Sequence, residues 1–403
     1  MSSRQGPIAP FLLVLCLGLN LRLGITGASP LLGELRATGA LSDLSATLVA
    51  SVPVFLFAFA GIGVVPLLRR RGVRATVGIA LTLLTGGLAV RAIPHGTVIL
   101  IGTICAAAGI AAINIVLPAI IRDWFADRGR GPTTGYTSAM ALGAAIAAAV
   151  ALPLAEGLGA PTASLAFWAL PALATGVLWV LLAPRRVGDP AVTASGGAAE
   201  TKTRGWPRGT VPLLAFFALQ TMLSYIIISW LPQIAAAGGI DERRAGLMLG
   251  LVMAVGVPAT ALIVPAAGRH ASRVVGVIVT TVCAVSGAAG LLLAPTAAPE
   301  AWAVLIGIGM SGFPFALALL SSIGDEPAQV ARVSSLTQVV GYLLGGVGPL
   351  ASGWAAVSAG SWQPVVTFMI AGAVLQGVIG IRLSTALRPG ASPLPPVAAR
   401  ADV

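Results

Sequence analysis

Charge is scarce in this chain. Asp, Glu, Lys and Arg make up 9% of its 403 residues, where a soluble domain carries about 25%. Acid is scarcer still: all 13 Asp and Glu fall in loops or at the ends of apolar runs, so no carboxylate is available inside a hydrophobic segment. The two histidines, His95 and His270, sit at polar junctions and read as solvated. The three cysteines, Cys16, Cys105 and Cys283, lie in apolar runs without metal-ligand spacing, so they read as buried thiols and neither a disulfide nor a metal site is expected. Also missing are a Ser/His/Asp set, a phosphate-cradling Gly-Lys-Ser/Thr loop and paired carboxylates within apolar runs. These absences argue against an enzyme and against an ATP-driven pump, and no cofactor is expected.

What the chain does have is apolar length. Hydrophobic residues make up 57% and the mean hydropathy is +0.95, values of a polytopic membrane protein whose surroundings are the lipid bilayer. A crossing needs about 20 mostly apolar residues. That ruler predicts helices near 9–32, 43–67, 74–92, 97–121, 133–154 and 162–183, then near 210–233, 244–267, 274–294, 300–323, 331–354 and 363–385. The expectation is an all-α membrane protein with twelve transmembrane helices in two six-helix bundles. The first run has one early Arg and no small-residue cleavage site, so it reads as a retained helix and not a signal peptide. The 50 Gly and 28 Pro suit close helix packing and kinks in a bilayer, where neighbours re-satisfy the backbone.

The longest polar interruption, Pro184 to Gly209, carries Arg185, Arg186, Lys202, Arg204 and Arg208 around a Ser/Gly/Ala-rich centre. It reads as a flexible linker. The expected division is a bundle over 1–183, a linker over 184–209, a second bundle over 210–388 and a tail over 389–403. Cations collect on the linker's side, at Arg69, Arg70, Arg71, Arg74, Arg122, Arg128, Arg130, Arg269, Arg273, Arg332 and Arg382, whereas the opposite side has Arg36, Arg91, Arg243 and Arg244. The asymmetry puts linker and both termini in the cytoplasm. It also accounts for the net charge of +11 without nucleic-acid binding. The halves echo each other: Pro66 followed by Arg69-Arg70-Arg71 resembles Pro265 followed by Arg269, and Pro30 matches Pro232.

One cation stands apart. Arg22 lies within the apolar run Leu17 to Leu32, where insertion scales set Arg at roughly +2.5 to +3.5 kcal/mol and a central Leu at about −0.3 to −0.6. The segment still inserts, and a charge at that depth with no acid near it marks a functional site. Arg22, Thr26 and Ser29 are spaced i, i+4, i+7 and share a helix face, whereas Asn20 lies about 200° away and points toward a neighbouring helix. A planar donor fork beside hydroxyls suits a carboxylate or other small planar anion. Further candidates for contact with a small-molecule substrate are Asn114 on the fourth helix and Tyr136 at the start of the fifth. On the seventh helix they are Gln220, Ser224 and Tyr225, and on the eleventh Gln338 and Tyr342, in line with Ser334. Trp230 reads as an interfacial belt residue, and Ser311 to Pro314 as a kink.

Several of these segments resemble one family. Leu19-Asn20-Leu21-Arg22 with Ser29-Pro30-Leu31-Leu32 is similar to the first-helix signature of the cyanate and 2-nitroimidazole permease family of the major facilitator superfamily. Gly109-Ile110-Ala111 with Asn114, Tyr136-Thr137 with Leu142-Gly143-Ala144-Ala145, Gln220 with Trp230-Leu231-Pro232, and Gln338 with Gly341-Tyr342-Leu343 resemble its fourth, fifth, seventh and eleventh helices. The resemblance covers nearly the whole chain. It implies a transporter of small polar or anionic compounds in a bacterial inner membrane, working by alternating access between two halves. One departure is the stretch Arg69 to Arg74, where an Arg stands in place of the Asp that the superfamily uses as a charge latch. The reading is a monomeric carrier with Arg22 as anion anchor. In the absence of an in-span acid relay, uniport, exchange or symport with protons accompanying the substrate is expected. Alternatives are export of neutral drug-like compounds with Arg22 structural, or a transport-dead sensor.

Overall fold

A computed structural model describes residues 8–125, 131–184, 206–207, 209–268, 270–320, 323 and 327–386. Most of the linker and the tail over 389–403 lie outside the described residues. The first run forms α1 (Ile8–Thr26), a 3-10 turn (Ser29–Leu31) and α2 (Leu32–Ala37). The predicted helix over 9–32 is thus interrupted at Pro30, which has no N–H to continue the ladder. Next come α3 (Asp43–Val90), α4 (Gly96–Trp124) and α5 (Gly131–Leu158), then α6 (Pro161–Phe167) and α7 (Ala169–Leu182), which together make one crossing. The later elements are α8 (Thr210–Ala237), α9 (Glu242–Ile263), α10 (His270–Leu293), α11 (Pro299–Met310), α12 (Gly312–Leu320), α13 (Pro327–Ala359) and α14 (Gln363–Ala386). α11 and α12 form one crossing broken at Ser311.

Among the described residues, 11 helical stretches are long and apolar enough to span a bilayer. One of them, α3, has 48 residues, about twice the length a crossing needs. Gly72 breaks it, with φ 71° and ψ 173°, a conformation that L side chains rarely adopt. Counted at that break, α3 is two crossings and the total is twelve, as expected. The Arg-rich stretch read as a loop is therefore nearly all helix with a single sharp turn. Arg74 just beyond it ties the turn down: its two terminal nitrogens donate to Ala183 O (2.8 Å) and Val180 O (2.7 Å). Those carbonyls end α7, where a cation also meets the negative end of the helix dipole.

The elements alternate between the linker end of the molecule and the end opposite it, called the far end below. The packing differs between the two ends. At the far end one apolar core draws on both bundles: Leu31, Leu35, Ala148 and Leu152 pack with Trp230, Leu231, Ile234, Met248 and Leu249. Two further cores are each confined to one bundle, Leu13, Leu17, Leu81, Ile113 and Trp179 in the first, and Leu213, Phe216, Val277, Phe315 and Leu383 in the second. The bundles are joined through α5 against α9 and α3 against α13. Large apolar side chains such as Ile62, Leu181, Leu262 and Leu293 remain exposed on outer faces, as expected where the solvent is lipid tail.

Three readings of single residues are corrected. Trp230 is no interfacial anchor: it is buried, its Nε1 donates to Pro349 O at 2.9 Å, and its ring leans on Trp362. Arg91, assigned to a loop, is buried in the first bundle and donates to Gly24 O (3.0 Å) and Leu165 O (2.9 Å). Arg273, likewise assigned to a loop, is buried and donates from Nε to Ala267 O at 2.7 Å.

Candidate substrate site

The site is built around α1, which carries Arg22 toward its C-terminal end, at the middle of the crossing Ala9–Ala37. Gly18 and Gly143 let α1 and α5 come into near backbone contact, since a Cβ on Gly18 would sit 2.7 Å from Tyr136 O and one on Gly143 2.5 Å from Leu19 O. That approach fixes Tyr136 beside the helix bearing Arg22. From the other bundle, α8 brings Tyr225 and α13 brings Tyr342, their rings edge-to-face with centroids 6.5 Å apart. Phe57 of α3 meets Tyr342 in the same manner at 6.3 Å. Val54, Ile228, Met253 and Met310 close the packing around these rings.

The chain has 3 tyrosines in all, and the Tyr342 hydroxyl lies within electrostatic range of the other two, Tyr225 and Tyr136, as well as of Arg22. Arg22 is half-buried. Among the described residues the salt bridges are Arg36–Asp43, Arg243–Glu156 and Arg244–Glu300, all at helix ends, and the Arg22 guanidinium donates no hydrogen bond to any described residue. Such a fork, with phenol hydroxyls and flat aromatic faces nearby, is equipped to receive a planar group that accepts two hydrogen bonds.

The stripe Arg22, Thr26 and Ser29 changes character along its length. Arg22 is partly open, Thr26 is buried with its hydroxyl unpartnered, and Ser29 belongs to the far-end contact between bundles. There Ser29 Oγ donates to Ser229 O (2.8 Å), Gln233 Nε2 donates to Ser29 O (2.6 Å) and Ser229 Oγ donates to Ala50 O (3.2 Å). On the exposed rim Arg243 pairs with Glu156 at 3.1 Å.

Other expected contact residues are placed differently. Asn20 turns to α7, where its Nδ2 donates to Thr175 Oγ1 at 2.9 Å, and to Cys16 O on its own helix. Gln220 and Ser224 are buried inside the second bundle: Gln220 Nε2 donates to Ser224 Oγ (3.0 Å) and its Oε1 accepts from Gln376 Nε2. Gln220 borders a small cavity of about 30 Å³ next to Thr280 and Thr281, room for about one water molecule. Gln338 is half-buried one turn from Tyr342 toward the linker end, donating to Ser334 Oγ at 3.0 Å. Asn114 stands exposed on α4. Sequence reasoning missed Phe57 and Val54, because nothing in the run Val54-Phe55-Leu56-Phe57-Ala58-Phe59 says which ring faces inward. Among the described residues no cluster of His, Cys, Asp and Glu could hold a metal ion.

Comparison with known proteins agrees with this architecture. The chain is 30% identical over 375 residues to the 2-nitroimidazole transporter of Escherichia coli (strain K12), covering 91% of this chain and 93% of that protein. It is 28% identical over 345 residues to the cyanate transport protein CynX of the same organism, covering 85% and 88%. Among solved structures, the nucleoside transporter NupG superposes with a TM-score of 0.75 at 13% identity, over 93% of this chain and 99% of that one. A bacterial homolog of the human lysosomal transporter Spinster, in an inward-facing and unoccupied conformation, also superposes at 0.75, with 14% identity over 96% and 98%. Relatives named as transporters and an all-helical bundle of twelve crossings point to a carrier and not an enzyme, and the model of the Major Facilitator Superfamily matches residues 11–349, so the chain belongs to that superfamily.

Proposed function

We propose that this transporter moves a small polar anion across the bacterial cytoplasmic membrane by alternating access, with Arg22 as the anchor of the central site. The observation that carries this reading is a half-buried guanidinium at mid-span that pairs with no acid among the described residues and lies within electrostatic range of Tyr342, which packs against Tyr225. With linker and termini cytoplasmic, a large core shared at the far end and two cores each confined to one bundle correspond to an inward-facing state. The division into 1–183 and 210–388, joined by a cytoplasmic linker over 184–209, gives each bundle one wall of the site. One bundle pair suffices, so the functional unit is a monomer. Since no in-span acid is available as a relay, uniport, exchange or symport with protons carried alongside the substrate fits best.

Proteoliposome flux across a panel of small anions tests the proposal. Arg22→Ala abolishes uptake while expression and monodispersity persist, and Arg22→Lys retains a fraction because the point charge stays but the fork is lost. Normal anion flux in the Ala variant overturns the anchor. The edge-to-face rings of Phe57, Tyr225 and Tyr342 favour a second reading, in which a flat neutral heterocycle is carried and Arg22 is structural. Unchanged flux of a neutral nitro-heterocycle in Arg22→Ala supports that one.

A further inference from the structure

A second cavity opens at the far end, above the contact between bundles. Its volume is about 350 Å³, at the lower end of the range of small-molecule sites. Arg36 of α2 and Thr47 of α3 form one side, Gly353 of α13 and Trp362 ahead of α14 the other, and Trp230 of α8 the floor. Trp230 is buried and held by its bond to Pro349 O, with the ring centroid of Trp362 at 5.1 Å. The cavity therefore has an indole floor and wall.

Arg36 is the cation of this cavity. Its side chain is 28% exposed, and Nη1 makes one contact of 3.2 Å with Asp43, itself 59% exposed. Its Nε donates to Leu32 O at 3.3 Å, which leaves Nη2 without a hydrogen bond among the described residues. Asp43 lies in the first turn of α3, where the helix dipole already favours a carboxylate. An exposed single-point pair of this kind adds little, whereas a second carboxylate meeting the fork end-on makes two parallel bonds. The chemistry therefore suits a planar aromatic anion, its ring against Trp362 and its oxygens on Arg36.

The cavity also lies on the route to Arg22. Thr47 lines it on α3, and Val54 of the central cluster follows seven residues along the same helix, about 10 Å away at the helical rise. Gly353 and Tyr342 are eleven residues apart on α13, about 16 Å. Between them runs one layer of inter-bundle hydrogen bonds, with Ser229 on Ala50. We infer that this is an outer capture site for small planar anions, in which Arg36 and the Trp230–Trp362 pair hold the solute before the far end opens. The inference rests on the proposed function for the sign of the ligand's charge and is tested apart from it.

The experiment titrates the purified full-length protein with 4-nitrobenzoate, a nitroaromatic that quenches indole emission. The component of quenching that Trp362→Phe removes reports on the outer site. Arg36→Gln weakens that component by about tenfold, the scale of one charge-assisted contact. Asp43→Asn, which releases the fork, strengthens it about two- to fivefold. Arg22→Gln leaves it unchanged. An unaltered component in Arg36→Gln, or weaker quenching in Asp43→Asn, overturns the outer site. Failure of the central anchor is read separately, as anion flux that survives in Arg22→Ala, so the two outcomes are distinguishable.

Discussion

The far-end contact between bundles is held by few directional bonds, and removing two of them measures how firmly it stays shut. In Ser29→Ala/Gln233→Met the bonds from Ser29 Oγ to Ser229 O and from Gln233 Nε2 to Ser29 O are lost. Ser29 O is not stranded, because it still accepts from the backbone N–H of Leu32, and Gln233 Oε1 has no partner to lose. Each bond then counts at its net value of about 0.5–1.5 kcal/mol, so the pair contributes about 1–3 kcal/mol. In a far-end-open state these groups meet water, so the whole amount favours opening, a population shift of about 5- to 150-fold. Spin labels at Leu44→Cys and Leu247→Cys, both exposed at the far end on opposite bundles, report it in a background lacking Cys16, Cys105 and Cys283. A longer inter-label distance grows in by at least about fivefold over the parent. A distance distribution identical to the parent's refutes the reasoning, because it means that the apolar core alone holds the end closed.

Two further outcomes follow from packing. Gly346 of α13 faces Phe55 of α3 so closely that a Cβ would lie 2.9 Å from the ring; Gly346→Val overpacks that interface, costing about 1–3 kcal/mol, and lowers the melting temperature in a size-exclusion stability assay. Arg91 binds two carbonyls but buries its charge without an acid. Arg91→Met therefore melts above Arg91→Ala, because it fills the space and removes the buried charge together.

The glycines show why α3, α8 and α13 assemble as they do. A Cβ on Gly345 would lie 2.7 Å from Thr221 and one on Gly348 2.6 Å from Met222, both of α8. With lipid as apolar as Leu, such close approach takes the place of the hydrophobic drive that packs helices in water. The same contacts hold Tyr342 against Tyr225, so the aromatic half of the site is a by-product of small residues on the eleventh crossing.

Sequence alone determined the crossings and the exceptional cation. Apolar length fixes where a helix must span, acids are confined to its ends, and Arg22 is left over because no loop can hold it. Gly72 was legible as part of a polar turn, although its φ of 71° within otherwise helical backbone was not. Tertiary structure alone decided which way each polar group faces. Asn20 and Arg22 sit on one helix, yet the first is taken by Thr175 and the second is left open; Gln220 and Tyr225 part in the same way, one to Gln376 and the other to Tyr342. The physical reason is that a membrane helix is apolar toward lipid and toward its neighbours alike, so its periodicity carries little contrast to mark an inner face. Only the partner helix, by offering or withholding a hydrogen bond, separates a structural amide from an available one.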